Sequence, residues 1–186
     1  MVGGNEEDYK KHEHLFRDIA AERAYSYVGP AGAGHFVKMV HNGVEYGMMQ
    51  SLAEGFAVLR AAADTRRLDA EERRTSADSH GTTYKFDLKK IAELYNEKSV
   101  IESRLVGWLA EAYEKYGEDL SDVSGTVKQS GEGLWTVQTA KELGVPAPVI
   151  ETAVEFRKQS ETNPSYIGKV LSALRGIFGG HNVANL

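Results

Sequence analysis

Between Lys38 and Met49 the chain places Lys38, His41, Asn42, Glu45, Tyr46 and Met49 at intervals that bring all six to one face of an α-helix. The first five are an amine, an imidazole, an amide, a carboxylate and a phenol, so this face can carry protons and hydrogen-bond a polar ligand. Lys38 and Glu45 are seven residues apart, about 10 Å along the axis, too far for an ordinary surface pair one turn apart. Two titratable groups at that distance can divide the work of a base and an acid on one substrate. Beside and behind them, Phe36, Val37, Val40, Val44, Met48 and Leu52 form an apolar surface. Gly43, Gly47 and Gly55 lie inside the same pattern, where each costs about 1 kcal/mol relative to alanine. Such losses predict close approach of another group to the helix backbone.

The elements that must hold this face are helices. The central one is expected from about His35 to Ala63, and the polar stretch from Asp64 to Ser79 should be a solvent-facing helix or loop. Asp87 is placed to cap a helix over Leu88–Glu97. Another should start near Ser99 with Ile101, Leu105, Trp108, Leu109 and Ala112 as its buried stripe, ending near Gly117. Glu132–Leu143 stops at Gly144, and Ile150–Ser160 and Tyr166–Phe178 follow, the last closed by Gly179 and Gly180. Ahead of all these, Val2–Asn5 reads as a strand end and turn. Glu6–Arg23 reads as a helix with Tyr9, Leu15, Phe16 and Ile19 inward, and Tyr25–Val28 as a short strand. That gives a mainly α protein with a small αβ piece over residues 1–28 and an all-helical domain over 29–186.

The composition narrows the possible partners. A formal charge of −5 speaks against nucleic acid, and a phosphate-binding protein of this sign must gather its cations locally. There is no cysteine, so thiolate metal sites and disulfides are excluded, and His35 with His41 lacks the spacing of a metal-ligand pair. No apolar run approaches the ~20 residues that span a bilayer, and the N-terminus has no signal-peptide pattern, so a cytoplasmic location is expected.

The run GAGHFVKMVHNGVEYG from Gly32 to Gly47 resembles the substrate-binding motif of 6-phosphogluconate dehydrogenase, the decarboxylating enzyme of the pentose phosphate pathway. The stretches YKFDLKKIAELYNEKSV and LWTVQTAKELGVPAPVIETA resemble its all-helical domain, particularly the shorter bacterial and archaeal form. The resemblance implies that Lys38 is the base and Glu45 the acid of an oxidative decarboxylation of 6-phosphogluconate to ribulose 5-phosphate. It implies that His41 and Asn42 contact the substrate. By motif position Tyr46, Arg157 and Arg175 are the phosphate ligands and His181 is the family's substrate-binding tail histidine, with Arg175 and His181 on a C-terminal tail that reaches a neighbouring subunit in a homodimer or tetramer. For Lys38 to act as a base, burial or neighbouring cations must bring its pKa below the usual value of about 10.4. One departure stands out: Ser130 precedes Gly131-Glu132-Gly133-Leu134-Trp135-Thr136, where longer members carry a lysine, which removes one phosphate contact.

The same resemblance makes residues 1–28 the remnant of a Rossmann cofactor domain. NAD or NADP is implied as the oxidant, yet the sequence contains no glycine-rich turn with a ribose-binding acid, since Gly29-x-x-Gly32-x-Gly34 has another spacing. The chain is therefore expected to be a fragment without dehydrogenase activity of its own, and its cofactor-binding residues are not assigned. Two rival readings fit the same helices: a 3-hydroxy acid dehydrogenase whose substrate lacks the phosphate, and a non-catalytic helical module for ligand binding or oligomerisation.

Overall fold

The computed structural model describes residues 1–63 and 84–184. Among these residues it is mainly helical, with seven helices and one two-stranded sheet. The polar stretch expected from Asp64 to Ser79 lies outside the described residues. The chain divides into two compact units: Met1–Gly47 with Gln129–Val154, and Met48–Lys128 with Glu155–Leu186.

In the first unit, strands β1 (Val2–Gly3) and β2 (Tyr27–Gly29) pair in parallel, Val2 opposite Tyr27 and Gly3 opposite Gly29. Parallel neighbours need a crossover, and helix α1 (Glu6–Ile19) supplies it. Asn5 starts α1 by accepting from the amides of Glu7 and Asp8 at 2.8 and 3.1 Å. Glu6, Glu7 and Asp8 then put negative charge at the positive end of the helix. The ring of Tyr9 packs on Phe16 and on Tyr27, with centroids 5.6 and 5.3 Å apart. The helix is shorter than the expected Glu6–Arg23, closing at Ala20, and Arg23 takes a positive φ of 60°. Leu15 and Ile19, read from the sequence as inward, are exposed. Helical spacing marks a face, but only another layer can bury it.

Helix α2 (Ala33–Ala63) is the long central helix. Its first part belongs to the first unit, where it meets α5 (Glu132–Glu142) and the start of α6 (Pro148–Gln159). The small core here is Tyr46, Val137, Ala153 and Val154, edged by Leu134 and Ile150. Pro148 opens α6, where its lack of an N–H costs nothing.

The second unit holds the rest of α2, then α3 (Leu88–Tyr95), α4 (Arg104–Tyr116), the end of α6, and α7 (Tyr166–Gly179). Asp87 caps α3 as the sequence predicts, accepting from the Lys90 amide at 2.9 Å. The cap of α4 is Ser103, accepting from Val106, not Ser99; the Ser99 hydroxyl instead donates to the Tyr95 carbonyl at the end of α3. Ile101 consequently falls in the connecting turn and is 50% exposed, while Leu105, Leu109 and Ala112 are buried as expected. Helix α7 is capped by Ser165 and ends at Gly180, whose φ of 61° is the left-handed conformation that closes a helix cheaply only with glycine. Val170, Leu171, Ala173 and Leu174 are all fully buried, so α7 is surrounded on several sides by its own unit. No helix among the described residues is long and apolar enough to cross a membrane.

Candidate functional site

The first half of α2 brings four of the predicted residues together, three of them within hydrogen-bond distance of one another and Glu45 beside His41. Lys38 Nζ donates to Asn42 Oδ1 at 2.6 Å and lies 3.5 Å from His41 Nδ1. His41 Nδ1 is 3.1 Å from Asn42 Oδ1 and 3.9 Å from Glu45 Oε2. These distances follow from helical spacing: residues three and four apart are neighbours on the surface, so Lys38 meets His41 and Asn42, and His41 meets Glu45. The amine and the carboxylate, two turns apart, are thus joined through the imidazole between them.

Lys38 and His41 are exposed, whereas Glu45 is only 24% exposed at its side chain. Burial of Lys38, one of the two routes expected to make its amine neutral, is therefore not provided by its own surroundings.

What approaches the α2 backbone at its glycines is protein. A Cβ at Gly43 would stand 2.6 Å from Thr136 Cγ2, and one at Gly47 would stand 3.1 Å from Val149 Cγ1. Gly55 has open space beside it. Thr136 of α5, which sequence reasoning did not single out for any role, donates from Oγ1 to the Met39 carbonyl at 2.8 Å, directly behind the reactive face. The signal available for it was indirect: a threonine at the end of the Gly131–Thr136 stretch, on a helix with a small-residue partner in α2. Trp135 lies against Gly131 while remaining half exposed.

Tyr46 is buried, unlike Lys38 and His41. Its ring is buried against Gly133, where a Cβ would meet Tyr46 Cε1 at 2.5 Å, so glycine is required for the ring to lie there. Along the apolar flank, Phe36, Val37, Val40 and Val44 are all exposed.

Arg157, Arg175 and His181 belong to the second unit. Arg157 is buried on α6, with Nη2 3.8 Å from Met49 Sδ. Arg175 is half-buried on α7, and the His181 ring lies over Gly179. The tail beyond is tied to its own unit: Ser124 N–H donates to the Val183 carbonyl at 2.8 Å, and Val123 bridges Ala184.

A dinucleotide needs glycines that leave its pyrophosphate room to approach the backbone. Here a Cβ at Gly3 would stand 2.7 Å from the Gly34 nitrogen and 2.8 Å from the Pro30 oxygen. Beside Gly3 and Gly34 the space is filled by the chain itself, while Gly32, in the turn from β2 into α2, has open space beside it. No three metal-ligating side chains converge among the described residues.

Comparison with known proteins places this arrangement. The profile of the 6-phosphogluconate dehydrogenase C-terminal domain matches residues 34–73, which include the whole Lys38–Tyr46 group. YqeC of Bacillus subtilis, a 6-phosphogluconate dehydrogenase by provisional name, is 42% identical over 181 residues, 97% of this chain and 54% of that protein. The NAD(+)-dependent decarboxylating 6-phosphogluconate dehydrogenase of Haloferax volcanii is 36% identical over 185 residues, 99% of this chain and 55% of its own. The NADP(+)-dependent decarboxylating enzyme of Bacillus subtilis is 33% identical over 167 residues, 84% of this chain but 31% of its own. The chain spans about half the length of the first two relatives and a smaller share of the third, as expected of a likeness to the shorter proteins. The extent of these matches, together with the helical architecture, shows that the chain belongs to the 6-phosphogluconate dehydrogenase family and carries the all-helical C-terminal domain of its short bacterial and archaeal form.

Proposed function

We propose that this chain is the substrate-binding and catalytic domain of an enzyme that oxidatively decarboxylates 6-phosphogluconate to ribulose 5-phosphate, with residues 1–28 the remnant of a nucleotide-binding domain and residues 29–186 the helical domain. The observation that supports the reading is the proximity of Lys38, His41, Asn42 and Glu45 on one face of α2.

On this reading the Lys38 amine takes the proton of the C3 hydroxyl, and Glu45 protonates the carbon that has lost carbon dioxide. Asn42 engages Lys38 through its oxygen, which turns its amide N–H groups toward a carboxylate or hydroxyl of the sugar acid. Glu45 is the less exposed of the two titrating ends, at 24% of its side chain. His41 and Asn42 position the substrate, and covering it desolvates Lys38. Tyr46, Arg157 and Arg175 are assigned to the phosphate by their motif positions and His181 to the substrate as the tail histidine, Arg175 and His181 being presented to a neighbouring subunit by α7 and the segment after it. Arginine suits this task because its fork of donors matches phosphate oxygens. The partner subunits are copies of this chain in a homodimer or tetramer, and the location is cytoplasmic.

The relatives' names include both NAD(+)- and NADP(+)-dependent enzymes, so a nicotinamide dinucleotide is the hydride acceptor of this reading. It is held by residues other than those described here, and the chain by itself should give no steady reduction of it. The test is calorimetric binding to the purified chain. Preference for 6-phosphogluconate over 3-hydroxyisobutyrate supports the reading, and equal or reversed preference removes the phosphate from it. Sustained NADP reduction by the purified chain would refute the expected inactivity.

A further inference from the structure

The proposed reaction leaves its two titrating groups out of balance. As C3–H departs with its electron pair to a nicotinamide-class acceptor, the hydroxyl proton passes to Lys38 Nζ. The C1–C2 bond then breaks, its electron pair forms the C2=C3 double bond of an enolate, and carbon dioxide leaves. When Glu45 gives its proton to C2, the C3 carbonyl is restored and the sugar is complete. The amine has gained one proton and the carboxyl has lost one. A second turnover requires the excess at one end to reach the other.

We propose that His41 is the relay that returns it, accepting a proton from Lys38 and passing it to Glu45. This rests on the functional reading above. A single atom, His41 Nδ1, faces both ends: it lies 3.5 Å from Lys38 Nζ and 3.9 Å from Glu45 Oε2. The proton arrives on the Nδ1 lone pair and leaves from the same nitrogen, while Nε2 keeps its own hydrogen throughout. The imidazole is returned unchanged, and no tautomer flip is needed. The first gap is already at the edge of hydrogen bonding; the second is closed by a small rotation of Glu45 or by one water.

Asn42 completes the device. Its Oδ1 lies 2.6 Å from Lys38 Nζ and 3.1 Å from His41 Nδ1. When the proton is on the amine, Oδ1 accepts from the ammonium; when it is on the imidazole, Oδ1 accepts from Nδ1–H. One acceptor therefore serves the proton in both places. Histidine is the side chain whose ordinary pKa suits transfer in either direction near neutral pH. The helix alone enforces the order, because the spacings 38 to 41 and 41 to 45 are those of surface neighbours.

The experiment follows the exchange of the Lys38 Nζ hydrogens with water by NMR on the 15N-labelled chain. His41→Asn keeps a polar side chain at an exposed position but removes the titrating nitrogen. The expected result is a slowing of Lys38 exchange by roughly tenfold or more, recovered on adding free imidazole. Exchange at the same rate in His41→Asn, or slowing that imidazole does not recover, overturns the relay. Adding 6-phosphogluconate to the same samples separates this from the parent reading. Perturbation of Lys38 and Glu45 with exchange indifferent to His41 removes the relay alone, and no perturbation at either residue removes the functional reading along with it.

Discussion

The two units solve different problems with helices. The second encloses a large apolar core in which Met49, Phe56, Leu109, Leu171 and Leu174 are fully buried, and α7 contributes most of its length to that core. The first has a core of four buried side chains and leaves Phe36, Val37, Val40 and Val44 of α2 open. Its precision comes instead from short contacts at glycines, with Thr136 against Gly43 and the Tyr46 ring against Gly133. Burial stabilises the second unit by excluded apolar area. Close approach in the first fixes the register of the face that carries Lys38 and Glu45, and Lys38 and His41 stay exposed.

The largest effect expected from a single change is in the second unit. A Cβ at Gly168 would overlap the carbonyl oxygen of Gly125, backbone against backbone, with no flexible side chain to yield. Gly168→Ala should cost about 3 kcal/mol or more, measured by denaturant unfolding. A cost below about 1 kcal/mol would mean that the two segments are not packed as described. In the first unit, Gly43→Ala trades a gain of about 1 kcal/mol in helix propensity for a clash with Thr136. Overpacking of about 1–3 kcal/mol should win by a small margin. The diagnostic is a double change: Gly43→Ala with Thr136→Ser should recover only part of the loss, because Cγ2 is removed while Thr136 Cβ and Oγ1, each 2.8 Å from the added Cβ, remain.

Alkaline pH should act first on the second unit. Burial pushes the phenols of Tyr113 and Tyr166 up, their hydroxyls 3.2 Å apart. Both groups stay protonated in the folded chain while the unfolded chain ionises near pH 10. The unfolded state therefore releases protons first, and stability present below that pH falls as pH rises above it. Unfolding followed at the tyrosinate absorbance should show this loss, and Tyr113→Phe should diminish it. An unchanged slope in that variant would place the linkage elsewhere.

How much of this was legible in the sequence depended on the range of the interaction. Caps are local, so Asp87 and Gly180 were found from their own neighbours. Ser99 and Ser103 are equivalent by type, and what separates them is tertiary: the Ser99 hydroxyl is taken by Tyr95, and Asn96 Oδ1 accepts from the Ser103 amide, setting the turn before α4. The exposure of Leu15 and Ile19 was beyond reach because helical spacing says which side chains share a face and not whether anything covers it. The proximity of Lys38, His41, Asn42 and Glu45 was readable because all four sit on one helix. The role of Thr136 was not, since its partner Met39 is far away along the chain.

The central claim is that an amine and a carboxyl on α2 act on one sugar acid. Its most direct test is the NMR response of the Lys38 ammonium and the Glu45 carboxyl to 6-phosphogluconate, in the native chain and in Lys38→Met and Glu45→Gln. Both substitutions are at groups outside the buried cores, so stability should change by less than about 0.5 kcal/mol. The account predicts that both signals shift together at one ligand concentration and that either substitution weakens the response at the other residue. Shifts that saturate at different concentrations, or a Lys38 response indifferent to Glu45→Gln, would contradict it.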